Sequence, residues 1–441
     1  MRSFFLVILA VMFAFSLQAD TRGIGPDLII INANIHTLDT NKPTAAAVAI
    51  LGNKISAIGS TQEIHALAGR ETRVIDANGK LVLPGFNDAH VHFLMGGFSL
   101  ANIDLRDAKS PQEFAKRLGD FAKKIPKGQW IIGGDWDHEK WPGTPLPTKK
   151  MVDALTPDNP IFVNRTDGHM ALANSLALKL AGVTKVTKNI PGGLIVRDPN
   201  TGEATGIFKD AAMDLVERVI PEKSRAEKLV AAKAATEHAA KFGVTSAQDM
   251  SADNDIELYQ GMSERGELKT RIYAVSSIMN WERRVKEVSR AQSGNDRVRV
   301  GGFKGFADGS LGSTTAYFFE PYRDAPKTRG LLGSQMFPEG AMLTRVLGAD
   351  QAGWQIMIHA IGDQANEQIL NIYKTVADKN GERDRRFRIE HAQHLRTNEI
   401  ARFASQKVIA SMQPFHAIDD GRWCEKRIGH ERSKTTYAFR S

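Results

Sequence analysis

The sequence predicts an α/β protein whose main body is a (β/α)8 barrel of the TIM type, preceded by a small β-unit. Three observations predict it. Short β-rich runs punctuated by turn residues fill 27–84, and strand and helix patterns then alternate to the end of the chain. Histidines and a lysine recur at the carboxyl ends of the predicted strands, where barrel proteins assemble their chemistry.

The first element is a leader. Met1 and Arg2 precede an apolar run over 4–15, which is short for a bilayer span and has the proportions of a signal-peptide core. Residues 1–19 are therefore expected to direct export to the periplasm or the exterior, with an uncleaved anchor as the alternative. No cysteine follows the run, so lipoprotein anchoring has no support.

The β-unit, 20–83, reads LIIINANIHTL, AVAILGNKISAIGS and TRVIDANGKLVLPG, with Asn-Gly and Gly-Asn turns between apolar runs. A small antiparallel unit is expected. The barrel, 84–441, has strands predicted over 85–93, 244–250, 271–277, 298–307, 354–360, 387–393 and 408–414. Helical patterns over 225–242 and 365–379 carry apolar residues at the spacing of one buried stripe. Seven strands leave an eighth expected beyond Ser441, so the barrel is predicted to be incomplete. An insertion over about 94–222 follows the first strand, and connections after barrel strands lie on the active-site face, so it should roof or flank the pocket.

Length and composition narrow the classes. A chain of 441 residues with 42% hydrophobic and 24% charged content is an ordinary globular protein with room for a barrel. The net charge of +8 is spread among acidic residues, and its densest run, 383–388, contains Asp384, so nucleic-acid binding is not expected. The single cysteine, Cys424, lies in GRWCEKR without an organised acid–base neighbourhood. Any metal must therefore be held by histidine, carboxylate or a modified lysine.

His90 and His92 occupy alternate positions on the first barrel strand and so point the same way. Two such imidazoles can share one cation, although a His-x-His pair alone is often a surface or core feature. Lys304, His359 and His391 add candidates at the ends of the fourth, fifth and sixth strands. Lys304 sits between Phe303 and Gly305, where a charged ammonium is costly and beside a cation repulsive. Carboxylation by carbon dioxide would turn it into an anionic bridge between two cations; a neutral or salt-bridged structural lysine is the alternative.

The ordered motifs PGFNDAHVHF, FKGFADGSLGSTTA, HAIGDQA, RIEHAQ and ASMQPFHAIDD resemble the amidohydrolase superfamily, within it the amidohydrolase-3 or YtcJ-like group that includes N-substituted formamide deformylases. The insertion pieces WDHEKWP, NRTDGHMALANS and GGLIVRDPNTGEATGIF belong to the same resemblance. It implies a metal-bearing barrel with a β-sandwich from both chain ends, and hydrolysis of an amide-type bond of a small-molecule substrate. It implies His90 and His92 as ligands of the more buried metal, Lys304 as the carboxylated bridge, and His359 and His391 as ligands of a second, with one or two zinc ions. His169 and Asp308 match motifs expected to line the substrate pocket, although an aspartate in a glycine-containing loop more often fixes a turn.

The resemblance also implies a catalytic aspartate on an eighth strand, which here is expected beyond Ser441, together with the remaining sandwich strands. No catalytic base is therefore identified within the chain. Asp419 and Asp420 follow the seventh strand in a place from which they would replace it only by rearrangement. The competing expectation is a non-catalytic remnant that keeps the metal or ligand site.

Overall fold

Runs of β-branched residues and phenylalanine between glycine-marked turns, RIYAVSS and VRVGGFKGF for example, form strands buried on both faces, as parallel sheets require. The computed structural model describes residues 25–100, 102–288 and 294–441, so the predicted leader lies outside the described residues. These fall into two compact units, the first ending at Gly85 and the second running from Phe86 to Ser441.

The first unit has two small sheets. Lys54–Gly59, Ala47–Leu51, Leu28–Ile31 and Arg73–Asp76 lie side by side in that order, and Thr44–Ala45, Asn34–His36 and Leu81–Val82 form the other. The antiparallel expectation holds only in part, because Leu28–Ile31 pairs in parallel with Arg73–Asp76, as does Asn34–His36 with Leu81–Val82. The helix Thr61–His65, capped by Ser60 and Glu63, lies in the connection that brings the chain back in the same direction. Ile29, Ala47, Ala49 and Ile64 form its small core.

The second unit is built on seven parallel strands: β1 (Phe86–Val91), β2 (Val244–Asp249), β3 (Arg271–Ser277), β4 (Val298–Phe306), β5 (Gln355–Ala360), β6 (Arg388–His391) and β7 (Ile409–Ser411). They are hydrogen-bonded in sequence order, with β1 and β7 at the two edges. Each coincides with a predicted run. Helices connect them, among them Arg225–Lys241, started by a Ser224/Glu227 capping box, and Asp363–Asn380. Helix Phe93–Ser99 packs so closely on the former that a Cβ at Gly97 would stand 2.1 Å from the Ala231 carbonyl oxygen.

Between strands and helices lies one continuous core that includes Phe303, Trp354, Ile356, Ile358 and Ile389. Each such side chain contributes roughly 1.5–3 kcal/mol by burial, so the strand ends they support are rigid platforms. The inserted segment after β1 has a structure of its own. It contains a second, five-stranded sheet in the order Gly193–Arg197, Ala204–Asp210, Met170–Ala173, Ile161–Arg165, Ile131–Trp136, with its own apolar clusters. Among the described residues no helix is long and apolar enough to cross a membrane.

Candidate metal centre

The carboxyl ends of β1, β4, β5 and β6 open on one cavity of about 290 Å³, lined by His90, His92, Lys304, His359 and His391 and also by His169. The register explains the convergence: Phe306 pairs with His359 across β4 and β5, and Ala360 with His391 across β5 and β6. His391 and Ala392 have φ of 73° and 42°, a strained left-handed turn that ends β6 beside the cavity. The rings form a chain. Centroids of His92 and His90 are 5.8 Å apart, His90 and His391 4.8 Å, His391 and His359 4.7 Å, and His359 and His169 4.9 Å.

One nitrogen of most of these rings is engaged from behind. His90 Nδ1 donates to Glu390 Oε2 at 2.6 Å and His169 Nδ1 to Asp210 Oδ1 at 2.7 Å, since a carboxylate only accepts. His391 Nδ1 lies 2.6 Å from Gln413 Oε1, while the Gln413 amide nitrogen donates to the Ser411 carbonyl at 2.9 Å, which sets the orientation of that amide. His359 Nε2 donates to the Gly309 carbonyl at 3.0 Å. Each bond places a proton on the engaged nitrogen and leaves the other with its lone pair, the arrangement seen when imidazoles ligate cations. His92 differs, its Nδ1 being buried without a partner.

Burial keeps the neutral imidazoles neutral. It pushes His90 down to about 4 and His92 to about 3, and holds His359 and His391 well below their ordinary value. His169 is raised: burial opposes protonation, but the hydrogen bond and charge of Asp210 outweigh it. Lys304 Nζ is buried with no hydrogen-bond partner, and the nearest feature described for it is the Phe306 ring, 4.6 Å to the centroid. Burial lowers it to about 8. No ion pair holds Lys304 among the described residues.

This donor set fits a divalent cation. Several neutral imidazoles with lone pairs on a shared cavity, beside an orphaned amine that carbon dioxide would convert to an oxygen ligand, are the groups that zinc-type ions take. Among the described residues, no three histidine, cysteine, aspartate or glutamate side chains already stand at enclosing distances. Closure on an ion would draw the rings together.

The two predicted pocket residues, His169 and Asp308, line one cavity of about 360 Å³ together with Asp210 and Phe306. His169 also lines the cavity of about 290 Å³. Asp308 is buried and its carboxylate is taken up by the backbone N–H groups of Tyr317 (2.8 Å), Ile361 (3.0 Å) and Gly362 (2.8 Å). These bonds tie the loop after β4 to the loop after β5, the turn-fixing role, in a residue that also lines the cavity beside His169. Asp419 and Asp420, set aside by sequence position, both line the cavity shared by His90 and His391; burial pushes Asp420 up to about 7. Cys424 is buried, and burial raises its thiol to about 11.

Sequence reasoning missed the residues behind the rings. Glu390 and Gln413 lie next to or near predicted ligands in RIEHAQ and SMQPF, so adjacency was a usable signal. Asp210 had none, being brought to His169 by the antiparallel pairing of Met170–Ala173 with Ala204–Asp210. Arg165, fully buried between Asp137 (2.9 Å) and Asp167 (2.6 Å), also lines the cavity and was not singled out.

The amidohydrolase family model matches residues 73–441. The protein LONG AFTER FAR-RED 3 of Arabidopsis thaliana is 39% identical over 434 residues, covering 95% of this chain and 73% of that protein. The putative amidohydrolase YtcJ of Bacillus subtilis (strain 168) is 30% identical over 417 residues, 92% of this chain and 76% of that one. The crystal structure of a metal-dependent hydrolase from Pyrococcus horikoshii OT3 superposes with a TM-score of 0.71 at 28% identity, over 93% of this chain and 79% of that chain. The barrel-type α/β fold, the matched span and the shared motifs place this chain in the amidohydrolase family, in the YtcJ-like group of hydrolases.

Proposed function

We propose that the protein is a metal-dependent amidohydrolase that cleaves a non-peptide or N-substituted amide bond of a small molecule with water. The observation that carries this reading is the set of imidazoles that line one cavity, each with one nitrogen engaged by a protein acceptor, together with an unpartnered lysine. His90 and His92 would hold one cation and His359 and His391 a second, with Lys304 bridging them as a carbamate; zinc suits such ligands. When bound, the ion would bring the pKa of a coordinated water toward neutrality and polarise the scissile carbonyl.

The chain's own residues supply the rest. Glu390, Gln413 and the Gly309 carbonyl orient the imidazoles. His169, its Nδ1 engaged by Asp210, lines the same cavity, where its other nitrogen would accept a proton from a water or a substrate N–H. Phe306, Ile361 and Phe415 line the cavity and suit an apolar substituent. Export, proposed from the sequence of residues 1–19, would place this chemistry outside the cytoplasm.

Elemental analysis of the purified chain, followed by assay against N-substituted formamides and N-acyl amines with and without chelator, tests the reading. We expect bound divalent metal and turnover that chelation abolishes and zinc restores. Absence of metal, with His90→Ala and His359→Ala indistinguishable from wild type in stability, would refute it; metal binding without turnover would leave a binding protein.

A further inference from the structure

Glu390 lies on β6 with none of its surface exposed, and its carboxylate is fully engaged. Oε1 accepts from Arg388 Nε at 2.7 Å, while Oε2 accepts from Arg388 Nη2 at 2.8 Å and from His90 Nδ1 at 2.6 Å. Arg388 then reaches outward. Its Nη2 also donates to the Ala89 carbonyl on β1 at 2.8 Å and to the Ser411 hydroxyl on β7 at 2.7 Å, and its Nη1 donates to the Gln248 side chain on β2.

β1 and β7 are the two edges of the sheet and share no backbone ladder among the described residues. The Arg388–Glu390 pair therefore links both edges through side chains, and His90 hangs from the same carboxylate. We infer that Glu390 is a positioning residue of the cation centre: it fixes His90 with Nδ1 protonated and Nε2 open, while Arg388 holds the carboxylate in place. This inference rests on the metal-dependent reading above.

The chemistry is specific to a carboxylate. It can only accept, so it dictates which His90 nitrogen carries the proton, and its charge raises the basicity of the other. A glutamine at 390 can donate its amide N–H to Nδ1. That would move the ring proton to Nε2 and remove the lone pair a cation needs. Its loss of charge would also leave a buried guanidinium without its counter-ion.

The test measures zinc affinity of the full chain by competition with a chelating dye, for wild type, Glu390→Gln, Glu390→Asp and Ser411→Ala. Glu390→Gln should bind about 10- to 100-fold more weakly, Glu390→Asp should recover part of the loss, and Ser411→Ala, which leaves the His90–Glu390 bond intact, should match wild type. Equal zinc affinity in wild type and Glu390→Gln would overturn the inference while leaving the metal-dependent reading standing. Wild-type protein that takes up no zinc would overturn both. A second measurement does not need Glu390→Gln to fold: long-range proton–nitrogen NMR of metal-free wild type, with the His90 signal identified by its loss in His90→Asn. Protonation at Nδ1 is the expected result, and protonation at Nε2 alone would overturn the inference.

Discussion

His169 Nδ1 stands 2.7 Å from Asp210 Oδ1, and Asp210 holds this position with a left-handed φ of 46°. A positive φ at a non-glycine residue is costly and persists only where the surrounding structure holds it in place. The pair is built by two neighbouring strands of the inserted sheet, and the ring it orients reaches the cavity at the ends of the barrel strands.

Removing the ring should therefore affect turnover more than binding. His169→Ala is expected to lower kcat by about 10²-fold or more with a smaller change in KM, as for loss of a positioned proton acceptor. Asp210→Asn, which permits the other tautomer, should lower kcat in the same direction. Steady-state kinetics on an amide substrate, with zinc content measured alongside, checks both; unchanged kcat in His169→Ala would remove this residue from the chemistry.

Lys304 should carry carbon dioxide. Native mass spectrometry is expected to show the added mass of one carbon dioxide, lost on acidification and absent from Lys304→Ala. That variant should also lose metal, and a short carboxylic acid supplied in the buffer should restore part of it by occupying the vacated bridge.

Metal removal should destabilise the fold. An ion at about a thousand times its dissociation constant adds roughly 4 kcal/mol to the native state, so chelation should lower Tm by several degrees. His359→Ala should show little further drop on chelation, and an unchanged Tm in wild type would contradict tight binding.

Asp308 should matter for stability. Asp308→Ala leaves three buried backbone N–H groups without acceptors, each costing about 1–3 kcal/mol. Urea unfolding should show a loss of roughly 3 kcal/mol or more. A variant that keeps wild-type stability but loses substrate affinity would assign it to the pocket instead.

Asp420 gives a pH dependence with a definite sign. Burial pushes its folded pKa from 3.8 to about 7. The folded state thus holds a proton that the unfolded chain has lost, and stability contributed below about pH 4 is given up as pH rises towards 7. The slope is on the order of 1 kcal/mol per pH unit. Asp420→Asn should flatten that part of the stability profile in urea titrations run at successive pH values.

The sequence by itself determined the order of the seven barrel strands, the helices between them and five chemically able side chains at the strand ends. Those features are local, since periodicity, capping residues and turn residues act over a few positions, although β1 ends at Val91 and His92 is the N-cap of the helix that follows. Only the tertiary structure decided what stands behind each ring. Strand register across β5 and β6 brings His391 to His359, pairing within the inserted sheet delivers Asp210 to His169, and 300 residues of chain separate His90 from Glu390. Hydrogen bonds between such distant positions leave no pattern in the linear sequence, because any acceptor of suitable reach would satisfy them and packing alone selects which one arrives.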